Sequence, residues 1–216
     1  MKRLSFVLSL IAVSTVTLFV TSCSKDENSI RNVEYIENTD LPTFSYLYSY
    51  IGRTDITAIE NYFIDKGFDI RKGCNISNGD SVLDVAMNDT WSEFFQFVYQ
   101  NGKVYQGLFC IFHPNEISQE TTVKLIRLLN NENDFTQGKN PLAFNASLHI
   151  INPDREMVEY QTKADLLSDI QRLYGSTDYD FTFGCNILYE SYSTFIQCQS
   201  DTHTRGGFTY GISTKY

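Results

Sequence analysis

Two stretches of the sequence match each other and decide the fold: residues 56–76 read ITAIENYFIDKGFDIRKGCNI, and residues 167–187 read LSDIQRLYGSTDYDFTFGCNI. They align without a gap at an offset of 111 residues, and both end in Gly-Cys-Asn-Ile. In each stretch, apolar side chains at helical spacing precede the tetrapeptide, which lies in a strand-like apolar run. Because the agreement extends back through the helical pattern, we expect an internal duplication of a helix-plus-hairpin unit, with pseudo-repeats near residues 55–112 and 163–214.

The rest of the sequence indicates further helices and strands around these two units. Asp55 is a candidate N-cap for the first helix, the second begins near Ala164, and residues 118–130 have the pattern of another helix. The dipeptides at 78–79 and 101–102 are both Asn-Gly, which indicates hairpin turns. Strands are predicted at residues 46–50, 82–87, 91–99, 103–112, 144–151, 157–161, 194–199 and 208–213. We therefore expect a single α+β domain over residues 41–216, a mostly antiparallel sheet with helices on one face.

The N-terminal segment has the pattern of a secretory signal. Lys2 and Arg3 precede an almost wholly apolar run over residues 4–20, and residues 20–23 read Val-Thr-Ser-Cys. Small residues before a cysteine resemble the lipobox of bacterial lipoproteins, and this resemblance implies that residues 1–22 are removed and that Cys23 is lipidated. The alternative is an uncleaved membrane anchor, since the run of 17 residues is at the lower limit for crossing a bilayer.

The residues after Cys23 indicate where the mature protein is held. Ser24-Lys25-Asp26-Glu27 resembles the surface-export signal of Bacteroidetes lipoproteins, although a solvated linker would also be charged. We expect a lipidated tether over residues 23–40 and an outer-membrane lipoprotein on the surface or the periplasmic side. Removal of residues 1–22 takes away two basic residues and no acidic ones, which changes the formal net charge from -9 to -11. Lipid would therefore hold the protein at the membrane. The acidic balance also argues against nucleic acid as a partner.

Four cysteines remain in the mature chain: Cys74, Cys110, Cys185 and Cys198. An even number in an exported protein permits two disulfides with three pairings. A two-residue loop at residues 191–192 would place Cys185 directly opposite Cys198, close enough to bond or only to pack. The alternative is that all four are small buried apolar side chains. No CxxC spacing is present, so we expect no zinc site.

Catalytic motifs are missing from the sequence. It contains no GxSxG, HExxH, GxxxxGK[ST] or GxGxxG pattern. Cys110 and His113 are three residues apart along a strand and would point to opposite faces. Asp178 and Asp180 supply too few oxygens for calcium. We therefore assign no catalytic residue, no metal and no cofactor.

Two surface features are candidates for recognition or modification. The tyrosines could form an aromatic binding face for sugar rings or a protein, or they could be strand residues of the core; they are Tyr46, Tyr48, Tyr50, Tyr189, Tyr192 and Tyr210. Asp80-Ser81-Val82 resembles the short O-glycosylation motif of Bacteroidetes exported proteins and lies at a predicted turn, so Ser81 is a candidate acceptor.

These features favour a membrane-anchored, non-catalytic module that binds a glycan, a peptide or a partner subunit. The alternative is a hydrolase whose site is assembled from distant residues, which a deep pocket holding His149 or His203 beside acids would favour. A further alternative is a structural or inhibitory module that presents a concave sheet to a protein, which an exposed apolar patch would support.

Overall fold

The computed structural model describes residues 41–74, 80–113, 118–152, 157–174, 180–200 and 206–214. All of them fall in one compact unit of the chain. The predicted signal, Cys23, the tether, the turn at 78–79, Asp178 and His203 lie outside the described residues. Among the described residues, no helix is long and apolar enough to cross a membrane.

The described residues form four helices and nine strands. The helices are α1 (Phe44–Tyr48), α2 (Ile56–Asp65), α3 (Ser118–Phe135) and α4 (Lys163–Tyr174). The strands are β1 (Ile70–Cys74), β2 (Ser81–Ala86), β3 (Glu93–Gln100), β4 (Lys103–His113), β5 (Ala143–Asn152), β6 (Val158–Tyr160), β7 (Asp180–Leu188), β8 (Tyr192–Ser200) and β9 (Gly206–Thr214).

All nine strands belong to one sheet in the order β1-β2-β3-β4-β9-β8-β7-β5-β6. Every neighbouring pair is antiparallel, which confirms the predicted mostly antiparallel α+β fold. The predicted turn at Asn101 and Gly102 joins β3 to β4, with positive φ angles of 51° and 76° that suit a tight hairpin. The pairing of β4 with β9 joins the first four strands to the last three in sequence.

Large apolar side chains alternate along the strands and bury one face, here called the inner face, against the helices. Phe95 and Phe97 of β3 are fully buried, and their rings contact Tyr46 and Tyr50 at centroid distances of 5.4 and 4.6 Å. Phe44 of α1 contacts Tyr210 of β9 at 5.6 Å. Burial of each such side chain contributes about 1.5–3 kcal/mol. The core therefore lies between the helices and the inner face.

The prediction of a strand at residues 46–50 is wrong, because these tyrosines lie in and just after helix α1. Thr43 caps the helix by accepting a hydrogen bond from the Tyr46 amide at 3.1 Å. Tyr50 OH donates to Tyr46 OH at 2.9 Å, a contact between residues four apart. Phe44 and Leu47, three residues apart, are fully buried. Contacts between residues three and four apart are those of a helix, and they stabilise a helix here although the tyrosines alternate as in a strand.

The predicted pairing of Cys185 with Cys198 is also wrong, by two residues in register. In the β7–β8 hairpin, Cys185 lies opposite Ile196, and Cys198 lies opposite Phe183. The Tyr189 amide donates to the Tyr192 carbonyl at 2.8 Å, so the two-residue loop lies at residues 190–191, one residue earlier than predicted. Both cysteines are buried thiols with no bond joining them. This agrees with the alternative that they are small core side chains.

Candidate functional site

The face of the sheet opposite the core, here called the outer face, is lined by short polar side chains. The alternation that buries Leu148, Phe183 and Ile196 turns their neighbours outward. The outer-face residues of the last strands are Asn145, Ser147 and His149 of β5, Thr182, Gly184 and Asn186 of β7, Phe195, Gln197 and Gln199 of β8, and Gly207 and Thr209 of β9.

Two adjoining clefts open on this face. The first has a volume of about 510 Å³ and the second about 420 Å³. Ser147, Gly184 and Gln197 line both clefts, so we treat them as one groove, here called the amide groove. The other lining residues are Gln106, Phe112, Asn145, His149, Met157, Thr182, Phe183, Cys185, Asn186, Phe195, Cys198, Gln199, Gly207, Phe208 and Thr209. None of these lining residues is Asp, Glu, Lys or Arg.

The strand register arranges the polar side chains in rows across the strands. Ser147 pairs with Gly184, Gly184 with Gln197, and Gln197 with Thr209. Thr209 pairs in turn with Cys110 of β4. Because neighbouring strands are about 4.8 Å apart, this row from β5 to β4 spans about 19 Å. The amide groove thus presents donors and acceptors along an extended line.

An aromatic cluster adjoins one end of the amide groove. Phe112 lines the groove and is 43% exposed. Its ring lies 6.0 Å from that of Phe94, which lies 6.4 Å from Trp91. The guanidinium of Arg71 stacks on Trp91 at 3.8 Å from the ring centroid. Phe112 therefore links the polar rows to an aromatic surface.

Of the groove residues, the sequence patterns pointed to His149, Cys185 and Cys198 and to the repeat tetrapeptide that contains Gly184 and Asn186, but not to the groove itself. The sequence pattern that could have indicated the groove is the alternation of polar residues along 145–149, 182–186 and 195–199. This pattern predicts a solvated face for each strand separately. That these strands lie side by side depends on the crossover that inserts β7 between β5 and β8. Strand order of this kind is not encoded in any local pattern.

The predicted aromatic binding face is not present as an exposed surface. Tyr46, Tyr50, Tyr189 and Tyr192 are between 2% and 5% exposed. Only Tyr48 of this group is substantially exposed, at 41%, and it contacts Tyr192 at 5.6 Å. Tyr210 is fully buried and its hydroxyl donates to the Pro42 carbonyl at 2.8 Å. The tyrosines pack between the helices and the sheet, as their alternative interpretation held.

The candidate glycosylation residue Ser81 lies in a strand rather than in a turn. It is the first residue of β2, half-buried, and pairs with Cys74 on one side and Tyr99 on the other. A residue between two strands is a less accessible acceptor than a turn residue. The strand β2 therefore begins one residue earlier than the predicted strand at 82–87.

The buried thiols are poor nucleophiles. Burial raises the pKa of Cys110 to about 11, and the pKa of Cys185 to about 12. The Thr209 hydroxyl donates to the Cys110 sulfur at 3.8 Å and opposes this shift in the Cys110 pKa. Since the thiolate is the reactive form, both thiols are inert near neutral pH. In the part of the chain that the structure describes, no group of three or more His, Cys, Asp or Glu side chains could hold a metal ion.

A second polar cluster is buried on the inner side and centres on Glu132 of α3. Its Oε1 accepts hydrogen bonds from Tyr189 OH at 2.8 Å and from Thr194 OH at 2.9 Å. Its Oε2 forms an ion pair with Lys163 at the start of α4. Burial raises the pKa of the Tyr189 hydroxyl above its usual range. This cluster ties two helices to the β7–β8 hairpin, and it lines neither part of the amide groove.

Comparison with protein-family models, curated proteins and solved structures found no match to this chain.

Proposed function

We propose that this protein is a lipid-anchored, non-catalytic binding protein of the outer membrane, and that its amide groove binds a neutral glycan. The observation that carries the proposal is the lining of the groove: the described residues combine amides, hydroxyls and phenylalanine rings, and none of them is charged. The proposal joins this groove to the lipoprotein pattern at Cys23.

The chemistry of the lining fits a sugar chain. Amide side chains both donate and accept hydrogen bonds, as sugar hydroxyls do, so Gln197, Gln199 and Asn186 can each bond to a hydroxyl in either sense. Phe112 and Phe195 supply apolar surface for the carbon face of a sugar ring. An acidic ligand would find no cation among the described lining residues and would be repelled by the mature chain, whose formal net charge is -11. A neutral sugar needs no cation for binding and is not repelled by the negative charge of the chain.

The lining supports binding over the hydrolase alternative. Glycoside hydrolysis uses a pair of carboxylates beside the scissile bond. The groove residues named above include His149 but no carboxylate. A peptide hydrolase would need an activated nucleophile, and the raised pKa of Cys110 leaves that thiol protonated.

The placement at the outer membrane is supported by the N-terminal residues. A basic pair, an apolar run and Cys23 are the parts of a lipoprotein signal, and Lys25 with two acids follows. The domain is acidic, so lipid rather than charge would hold it at an anionic membrane. Surface proteolysis of whole cells separates the two sides: cleavage places the groove outside the cell, and protection places it in the periplasm.

The internal duplication is supported by the order and the register of the elements. Helix α2 precedes β1 and helix α4 precedes β7, and each of these strands contains the Gly-Cys pair of the repeat. Cys74 pairs with Ser81, and Cys185 pairs with Ile196, both toward the next strand in sequence. The second unit has three strands where the first has four. A single ancestral unit of one helix and three strands accounts for this arrangement.

Calorimetric titration tests the proposed ligand class. The full-length lipoprotein is purified in a detergent without a sugar headgroup and titrated with hexasaccharides of β-1,4-glucose, β-1,3-glucose and α-1,6-mannose, and with the acidic hexasaccharide of galacturonate. At least one neutral hexasaccharide is expected to bind and the acidic one is not. Selective binding of the galacturonate sugar, or of none of the sugars, would contradict the proposal.

A pair of glutamine variants locates the binding. Gln197→Ala removes a side chain at the centre of the groove, and loss of one net hydrogen bond of about 1 kcal/mol weakens binding about fivefold. Gln137→Ala is the matched control, because Gln137 is exposed in the turn after α3 and outside the groove. Equal loss of affinity in both variants would place the ligand elsewhere.

A further inference from the structure

Gly184 lies at the centre of the amide groove without a structural reason within the chain. It lines both clefts and stands between Ser147 and Gln197 in the central row. A Cβ atom added at Gly184 would meet no atom of the described residues within 4 Å. Its backbone is not among those of positive φ, so an L side chain fits there without strain. Neither packing nor conformation requires glycine at this position.

Two other outer-face glycines, both on β9, have a clear packing role that Gly184 lacks. A Cβ at Gly211 would lie 2.3 Å from the Gly107 carbonyl oxygen, and one at Gly207 would lie 2.8 Å from that of Ile111. These glycines allow β9 to approach β4. In a strand, glycine is less favourable than alanine unless a close approach needs the space. At Gly184 the part of the chain that the structure describes makes no such approach.

We infer that Gly184 is a specificity-determining position at which a neutral sugar ring lies directly on the backbone of β7. This inference rests on the proposed function and names the point at which the sugar comes closest to the groove. The missing side chain leaves a flat floor between two polar neighbours. Side chains directly opposite in antiparallel strands stand about 4.5–5.5 Å apart. A ring over Gly184 therefore reaches the Ser147 hydroxyl on one side and the Gln197 amide on the other.

The same row gives the ligand its direction across the sheet. Thr209 continues the row beyond Gln197, and Phe112 lies on the adjoining strand β4 at the exposed edge of the groove. A sugar chain centred on Gly184 thus meets hydroxyl and amide groups first and an aromatic ring at its end. Gly184 is the position along this path that tolerates substitution least, because any side chain there would move the sugar ring away from both Ser147 and Gln197.

The chain supplies a matched control for this position. Gly73 of β1 occupies the corresponding place in the sequence repeat and is exposed, and a Cβ there would also meet no atom of the described residues within 4 Å. It lies outside the lining of the groove. Gly73→Ala therefore has the same effect on the backbone as Gly184→Ala without affecting the ligand. Both variants should have thermal midpoints equal to or above that of the wild type.

The test compares hexasaccharide binding by Gly184→Ala, Gly184→Val and Gly73→Ala in the full-length protein. Gly184→Ala should weaken the binding of the neutral hexasaccharides about tenfold, Gly184→Val should abolish it, and Gly73→Ala should leave it unchanged. If Gly184→Val binds as tightly as the wild type while Gln197→Ala loses affinity, the groove binds sugar but the inference about Gly184 is wrong. If the wild type binds none of the neutral hexasaccharides, the proposed function fails and the inference fails with it.

Discussion

At the scale of single residues, two of the ion pairs in the described part of the chain differ in their surroundings. Glu132 is fully buried and satisfied by Tyr189, Thr194 and Lys163. The Lys163 side chain is 19% exposed, so that pair is shielded from water. The Lys72 side chain, which pairs with Glu60, is 57% exposed. Removal of a partner from a buried charge is costly, whereas exposed pairs contribute little.

Lys163→Met and Lys72→Met test this difference. Lys163→Met leaves the Glu132 carboxylate buried without its cation, and we expect the free energy of unfolding to fall by about 2–3 kcal/mol. Lys72→Met should lower the urea midpoint less, because the Lys72 side chain is 57% exposed and solvent screens this pair even though Glu60 is buried. Urea denaturation followed by circular dichroism measures both variants. Equal midpoints in the two variants would show that the Glu132 cluster does not stabilise the fold.

The thiol of Cys110 makes stability depend on pH above neutrality. In the unfolded chain this thiol ionises near its ordinary pKa of 9.0, whereas burial holds the folded pKa at about 11. The stability from the neutral buried thiol is therefore fully present below pH 9 and is lost as pH rises through 11. Urea midpoints of the wild type and Cys110→Ala at pH 8 and pH 11 measure this. The difference in urea midpoint between the two proteins should be smaller at pH 11 than at pH 8. An equal difference at both pH values would contradict the raised pKa of the Cys110 thiol.

At the scale of helices and strands, local sequence patterns predicted most elements but not their neighbours. Helix α2 begins at the predicted Asp55 cap, which accepts from the Ala58 amide at 2.9 Å. The Asn101–Gly102 turn was also predictable, since few dipeptides adopt two positive φ angles. Helix α1 was missed because alternating tyrosines have a strand-like pattern. The groove was missed because it depends on the long-range pairing of β4 with β9 and of β5 with β7.

The central pairing of β4 with β9 depends on Gly211. A Cβ there would clash with the Gly107 carbonyl oxygen and lie 2.8 Å from Leu108 Cδ2. We expect Gly211→Ala to lower the free energy of unfolding by about 3 kcal/mol or more, because backbone atoms cannot move aside without breaking the sheet. Gly73→Ala serves as the control in the same thermal scan. A Gly211→Ala protein as stable as the wild type would place the β4–β9 register in error.

At the scale of the whole molecule, the proposed function joins an acidic domain to a lipid anchor. An acidic chain gains no electrostatic attraction to an anionic membrane, so under the proposed function the acyl groups on Cys23 hold it there. Cys23→Ala should move the protein out of the lipidated membrane fraction and abolish metabolic labelling with a palmitate analogue. Cys74→Ala, the control, should keep both properties. A Cys23→Ala protein that still takes up the label would contradict lipidation at this residue.

The central claim is that the outer face of the sheet binds a neutral glycan, and the most direct measurement is nuclear magnetic resonance of the side-chain amides. Protein labelled with ¹⁵N on Gln and Asn is titrated with the tightest-binding neutral hexasaccharide. The resonances of Gln197, Gln199, Asn145 and Asn186 should shift together along one binding curve, while that of Gln137 on the opposite side stays in place. Shifts confined to Gln137 and the helices, or none at saturating sugar, would contradict the account.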